Sequence, residues 1–163
     1  MVESFKQISL LSITSESLST LRLLNKTLFP VRYADSFYSS LLFPNPERVC
    51  RILSVEGHPI GVIHFKKHSE RRTCYLISLG VLAPYRGFGL GSYLLDFCLK
   101  HCKREWGDGV DMIELHVQAS NWKALQFYER HGFKRISLEA DYYNNVEGGS
   151  SAWRMQLQLC GFP

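Results

Sequence analysis

The segment from Cys74 to Glu105 restricts the fold more than any other part of this 163-residue chain. It begins as CYLISLGVL, apolar at nearly every position, and passes the breaker Ala83-Pro84 into the turn Arg86-Gly87-Phe88-Gly89-Leu90-Gly91. That turn opens directly into SYLLDFCLKHCKRE. A short apolar run of this kind reads as a central strand buried on both faces. The stretch after the turn gathers Leu94, Leu95, Cys98, Leu99 and Cys102 on one side, as an amphipathic helix does. Glycine lets the backbone take φ > 0 and lets a ligand approach it, while the free N–H groups of a first helical turn form an anion site. Arg86 adds a fork of donors suited to phosphate. The pattern predicts a pyrophosphate resting on the amides of residues 87 to 92, including Ser92. No Gly-Lys-Ser/Thr follows, which excludes a P-loop, and the glycine order is not that of a dinucleotide-binding turn.

The remaining segments supply a sheet around this unit. Phe5, Ile8, Leu10, Leu11 and Ile13 predict a first strand, and Ser15 is the expected N-cap of a helix carrying Leu18, Leu21, Leu24 and Leu28. Pro30 ends that helix by pushing Phe29 into extended geometry. Asp35 is the expected cap of a short helix, SFYSSLLF, that ends at Pro44. VCRILSV and PIGVIHF read as a hairpin joined across Glu56-Gly57-His58. MIELHV gives another strand, Asn121 caps the helix WKALQFYERH, and Gly132 stands where a helix C-terminal glycine belongs. Two further strands, Phe133 to Leu138 and WRMQLQLC, close the chain. The order β-α-α-β-β-β-α-β-α-β-β implies one α/β domain over residues 1–163, a mixed central sheet with helices on both faces.

Composition narrows the function classes. At 45% hydrophobic and 13% aromatic the chain is neither disordered nor fibrous. Its net charge of +4 comes from scattered Lys and Arg, so no nucleic-acid footprint is expected, while a mild basic excess suits an anionic cofactor. No apolar stretch approaches the ~20 residues of a membrane span. Cys50, Cys74, Cys98, Cys102 and Cys160 cannot all pair, and the start MVESFKQISL is not a secretory signal; both point to a reducing compartment, cytoplasmic or nuclear. Cys98 and Cys102 flank His101 on one helix, but no second ligand pair has zinc-site spacing, so no metal is expected.

The turn Arg86-x-x-Gly89-x-Gly91 resembles the pyrophosphate loop of GNAT acetyltransferases. Downstream, Asn121, Ala124, Phe127, Tyr128 and Gly132-Phe133 resemble that family's second motif, N-x-x-A-x-x-F-Y-x-x-x-G-F. Within the family the chain is similar to the N-terminal acetyltransferase of the NatE complex from about residue 20 to 146. Phe29-Pro30-Val31-Arg32-Tyr33, Tyr75, LAPYRG, Leu115-His116-Val117-Gln118 and Tyr142-Tyr143 carry that similarity. The stretch after the tyrosines departs from the pattern, and Gly148-Gly149-Ser150-Ser151 has no counterpart in it.

The resemblance implies a GNAT fold and acetyl-CoA as cofactor, lying along residues 79 to 92 and 121 to 130. Leu79, Val81, Arg86, Gly87, Phe88, Gly89, Leu90, Gly91, Ser92, Asn121 and Tyr128 are its expected contacts. Tyr75 and His116 become the catalytic pair, and Phe29, Pro30, Val31, Tyr33, Ile77, Tyr142 and Tyr143 the wall of a peptide site. The implied partners are polypeptide N-termini as substrate, a second subunit of the acetyltransferase complex and the ribosome. An α-amine has a pKa of about 7.7–8.0, so most substrate arrives protonated and needs a base. Imidazole titrates near ~6.5 and suits that task, and a phenol can help hold a water. Ile113, Leu115 and Val117 alternate with Glu114, His116 and Gln118, so His116 is expected to point away from the helix-packed core. The expected reaction is direct attack in a ternary complex with a Tyr/His-held water as base, favouring peptides that start with Met and a hydrophobic residue. The fold leaves other acceptors open: lysine side chains, small-molecule amines, or the substrates of the NatF branch, which shares the Tyr and His pattern. A silent acetyl-CoA-binding module is the remaining class, and Tyr75 and His116 argue against it.

Overall fold

The computed structural model describes residues 5–144 and 147–159. Asn145, Val146 and Cys160, which belong to segments read above, lie outside them. The strands are β1 (Ile8–Ser12), β2 (Arg48–Val55), β3 (His58–Lys67), β4 (Thr73–Val81), β5 (Met112–Gln118), β6 (Lys134–Glu139) and β7 (Ala152–Gln158). The helices are α1 (Leu18–Leu28), α2 (Asp35–Ser40), α3 (Leu90–His101) and α4 (Trp122–Arg130), and a π-helical turn, Cys102–Trp106, extends α3. This is the element order expected from the sequence. The strands form one seven-stranded sheet in the order β1-β2-β3-β4-β5-β7-β6. β4 and β5 run parallel, and the other described neighbours run antiparallel. No helix among the described residues is long and apolar enough to cross a membrane.

Two apolar clusters hold the sheet. Leu94, Leu95 and Cys98 of α3 and Leu125 and Tyr128 of α4 pack with Phe65, Cys74, Leu76, Ile113, Leu115 and Met155 on one face. On the other, Leu21 and Leu24 of α1 and Tyr38 of α2 cover Cys50, Ile52 and Val62, with Phe29 and Tyr33 against them. The second cluster reaches the β1–β4 half of the sheet, which leaves the same face of β5, β7 and β6 to polar side chains.

Local rules explain most of the boundaries. The β2–β3 hairpin turns at Glu56 and Gly57, both at positive φ, 50° and 80°, which suits the right-handed twist of the flanking strands. Asn121 caps α4 as expected, its Oδ1 accepting from the Ala124 N–H at 3.2 Å. Phe29, before Pro30, is extended at φ −126°, ψ 142°, and ends α1. Three of the boundaries that differ have a side-chain cause. The N-cap of α1 is Ser17 rather than Ser15, because Thr14 and Ser17 close a turn of their own, with Thr14 N–H donating to Ser17 Oγ at 2.9 Å. Asp35 is the first residue of α2 rather than its cap, and its carboxylate pairs with Arg22 at 2.6 Å. α2 stops at Ser40, short of Pro44, where the Arg48 guanidinium takes up the Ser40 carbonyl and hydroxyl.

Candidate active site

The centre of the site is a gap in the sheet. Among the described residues, β4 and β5 pair at Thr73↔Met112, Cys74↔Ile113 and Tyr75↔Glu114 and no further. Beyond Tyr75 the two strands separate. On its other edge β4 carries a bulge: His64 pairs with Ser78 and Phe65 with Leu76, so Ile77 is the extra residue. A bulge bends its strand and increases the local twist, which turns β4 away from β5. Gly80 admits α1 to this part of the strand, since a Cβ there would sit 3.0 Å from the Phe29 ring.

Tyr75 and His116 meet where the strands part. The Tyr75 hydroxyl lies 2.7 Å from His116 Nδ1 and 2.9 Å from the Tyr142 hydroxyl. His116 Nε2 lies 2.9 Å from Glu139 Oε2. The donors follow from the end of the chain. A carboxylate only accepts, so Nε2 carries the proton; neutral Nδ1 then accepts from Tyr75, and the Tyr75 oxygen accepts from Tyr142. Tyr142 also stacks on the imidazole, with ring centroids 4.0 Å apart and planes 11° from parallel. The Tyr75 phenol is pushed well above the usual tyrosine range by burial, reinforced by its bond to Tyr142. The direct contact differs from the expectation of a water shared between Tyr75 and His116, because 2.7 Å leaves no space for one on that line.

The network continues along the polar face of the sheet. Arg154, the ladder partner of His116, has Nε 3.3 Å from Glu139 Oε1 and Nη1 3.2 Å from Glu114 Oε2. Gln156 donates to the same Glu114 oxygen at 2.7 Å. Glu139 and Arg154 did not emerge from the sequence reading. They meet His116 because β7 inserts between β5 and β6, with Ala152 paired to both Gln118 and Glu139.

The phosphate-loop residues occupy the far end of β4. Gly87 and Gly89 take φ of 84° and 82°, and Gly89 is the N-cap of α3. A Cβ on Gly87 would have nothing within 4 Å, so the loop is open on that side. Arg86 folds back on the turn, its Nε donating to the Val81 carbonyl at 2.9 Å. Phe88 is exposed and packs edge-on against Phe5. Leu90 and Val81 are buried in the core, and Leu79 packs at the edge of the same cluster. Ser92 Oγ lies 2.9 Å from His131 Nε2, and Gly91 leaves room for Phe127, so α3 and α4 are locked together beside the loop. Asn121 spends its side-chain oxygen on the α4 cap. Tyr128 is buried between Phe127 and Phe133, and burial pushes its phenol up.

The expected peptide wall converges from two loops. The phenols of Tyr33, Tyr142 and Tyr143 lie close enough to act on one another; Tyr143 is pushed up to about 12, first by burial and then by the other two. Tyr33 is raised by burial and stacks on Phe37 at 4.4 Å. Val31 and Tyr33 line a groove of about 220 Å³ with Arg22, Asn25 and Tyr38. Pro30 is exposed beside it. A larger depression of about 460 Å³, against Gln126, Glu129 and Arg130, includes none of the network's side chains.

The thiols stand on the opposite face. Cys74 joins Cys98 and Cys102 in a buried trio whose sulfurs all lie within 4.8 Å of one another, a contact that residue spacing alone did not reveal. Burial pushes the Cys98 thiol well above its ordinary range.

Comparison with known proteins agrees with this architecture. A family model described as the acetyltransferase (GNAT) family matches residues 18–133. N-alpha-acetyltransferase 50 of Danio rerio is 34% identical over 144 residues, covering 86% of this chain and 83% of its own. The probable N-acetyltransferase san of Drosophila melanogaster is 28% identical over 142 residues, covering 86% and 75%. Among solved structures, Arabidopsis thaliana Naa50 in complex with the bisubstrate analogue CoA-Ac-MVNAL superposes with a TM-score of 0.77 at 32% identity, covering 92% of this chain and 97% of that one. The chain belongs to the acetyltransferase (GNAT) family. Its seven-stranded mixed sheet, opened between β4 and β5, is the GNAT fold.

Proposed function

We propose that the chain transfers the acetyl group of acetyl-CoA to the α-amine of polypeptides, preferentially those that begin with Met followed by a hydrophobic residue. The observation that carries this reading is the hydrogen-bonded series Tyr142–Tyr75–His116–Glu139 at the point where β4 and β5 part. The cofactor suits the residues present: an open glycine turn at the N-terminus of α3 meets a pyrophosphate, and the gap between the strands leads from there to Tyr75. When bound, acetyl-CoA supplies a thioester carbon for attack and a thiolate as leaving group.

Tyr75 and His116 remove the proton. The Tyr75 oxygen takes it from the amine, directly or through one water outside the dyad, while the Tyr75 proton passes to His116 Nδ1. Tyr128, on α4, is assigned to hydrogen-bond the leaving thiolate. The backbone of β4 from Leu79 to Val81, which among the described residues has no ladder partner on the β5 side, offers N–H groups to the developing oxyanion. Phe29, Tyr33, Ile77, Tyr142 and Tyr143 frame the first peptide residues, with Pro30 and Val31 at the rim. The peptide of the Arabidopsis analogue, MVNAL, starts with Met and Val and supports this choice of acceptor. The test is acetylation of a peptide library by the purified protein, scored for α-amine against lysine products. Product confined to lysine, or to acidic or small N-termini, would reject the acceptor proposed.

A further inference from the structure

We infer that Glu139 is a positioning residue that sets the tautomer of His116 and supports its positive charge during proton transfer; this rests on the acetyl-transfer reading above. Left alone, neutral imidazole places its proton on either nitrogen, and only the form with free Nδ1 can accept from Tyr75. The Glu139 carboxylate, 2.9 Å from Nε2, holds the proton on that nitrogen. His116 is 10% exposed and Glu139 36%, so the imidazole sits in a protected position while the carboxylate stays in contact with water.

The charges around the ring favour the same role. Glu114 on its own strand, Arg154 on β7, Glu139 on β6, Tyr75 on β4 and Tyr142 from the β6–β7 loop are the titratable groups of this network. Two carboxylates face one guanidinium, so one negative charge remains unmatched while His116 is neutral. The proton delivered through Tyr75 matches it. Arg154, shared between Glu114 and Glu139, keeps the carboxylate from turning away. During transfer the Tyr75 O–H bond breaks as the Nδ1–H bond forms, and Nε2–H keeps donating to Glu139. No redox change or further reactant is involved.

The test compares Glu139→Gln and Glu139→Leu with the wild type on a Met-Val peptide. Glutamine keeps an acceptor for Nε2–H and loses the charge. The acid limb of its kcat/KM–pH profile should move to lower pH, with kcat lowered by ~10-fold to ~10⁴-fold, the larger loss where the amide N–H₂ turns to Nε2 and selects the other tautomer. Leucine removes both, and kcat should fall by about 10–100-fold with KM for acetyl-CoA unchanged. Nitrogen NMR of His116 should report proton on Nε2 in the wild type and a tautomer mixture in Glu139→Leu. Wild-type kcat and an unmoved acid limb in both variants, while the wild type acetylates peptide, would overturn the role of Glu139 and leave the transfer reading standing. If the wild type binds acetyl-CoA but acetylates no peptide, the transfer reading fails instead. The NMR tautomer then decides the Glu139–His116 link by itself: an unchanged spectrum in Glu139→Leu rejects it. Should the leucine variant unfold, the isosteric glutamine variant carries the kinetic test.

Discussion

Removing the Tyr75 hydroxyl separates catalysis from stability at a single atom. Tyr75→Phe deletes the bonds to His116 at 2.7 Å and to Tyr142 at 2.9 Å and leaves the ring in place. A net hydrogen bond contributes about 0.5–1.5 kcal/mol, so the two together are worth about 1–3 kcal/mol. For a domain of this size the melting temperature falls by roughly 2–4 °C per kcal/mol, and a total stability of about 5–15 kcal/mol keeps the variant folded. The rate has more to lose, since proton transfer by a positioned group contributes ~10²–10⁴-fold. A thermal scan together with CoA release at saturating peptide should give a modest drop in Tm and a kcat lowered by at least ~10²-fold. KM for acetyl-CoA should not change. His116→Ala should cost about as much, and the double variant little more than either, because the two residues act as one unit. Full kcat in Tyr75→Phe, or losses that multiply in the double variant, would refute the shared relay.

Three further outcomes are expected. Arg86→Ala should weaken acetyl-CoA binding by about 1.5–3 kcal/mol in calorimetry, as a charge-assisted phosphate contact is lost and the loop loses its tie to Val81. Phe29→Ala should raise KM for Met-starting peptides and narrow their advantage over Ala-starting ones, an advantage of about 10–200-fold in the wild type, as competition kinetics would measure. His64 is buried and held down to about 3 by burial, so between there and about 6.5 the unfolded chain binds a proton that the folded chain does not. Stability therefore rises with pH across that window by about 1.4 kcal/mol per unit from this group, and denaturation of His64→Leu at several pH values should show a slope shallower by one proton.

Much of this architecture is legible in local chemistry. Pro30 ends α1, Asn121 caps α4, Glu56-Gly57 turns the hairpin, and alternation along β5 places His116 on the polar face. The less legible parts depend on strands distant in sequence. Glu139 reaches His116 only after β7 pairs on both edges. A sequence signal does exist in hindsight: Ser137 and Glu139 share the face of an edge strand directly before the double tyrosine. The third thiol shows the same limit. Cys74 lies on β4, and its contact with Cys98 at 3.9 Å is made by the packing of α3 on the sheet rather than by spacing along the chain.

The opened seam also favours one of two chemical routes for the proposed transfer. A parallel ladder is slightly less stable per residue than an antiparallel one, so the β4–β5 junction is the least costly place to open this sheet. β4 is turned aside there by the bulge at Ile77, and its far end is packed against α1 through Gly80 and Phe29. The opening gives one gap with two unlike sides: the polar face holds Tyr75, His116 and the tyrosines, and the helix-packed face holds Cys74, Cys98 and Cys102. An acetyl-cysteine route would require a thiolate beside the base. Cys74, Cys98 and Cys102 are all 0% exposed on the helix-packed face away from His116, so even the Cys102 thiol, whose pKa its two neighbours lower, does not lie beside that base. In the proposed reaction, by contrast, the amine and the proton acceptor share one side of the gap, where the phenol of Tyr75 opens toward the two tyrosine-bearing loops. Direct attack of the amine on the thioester is therefore the route to which this sheet gives both a path and a base.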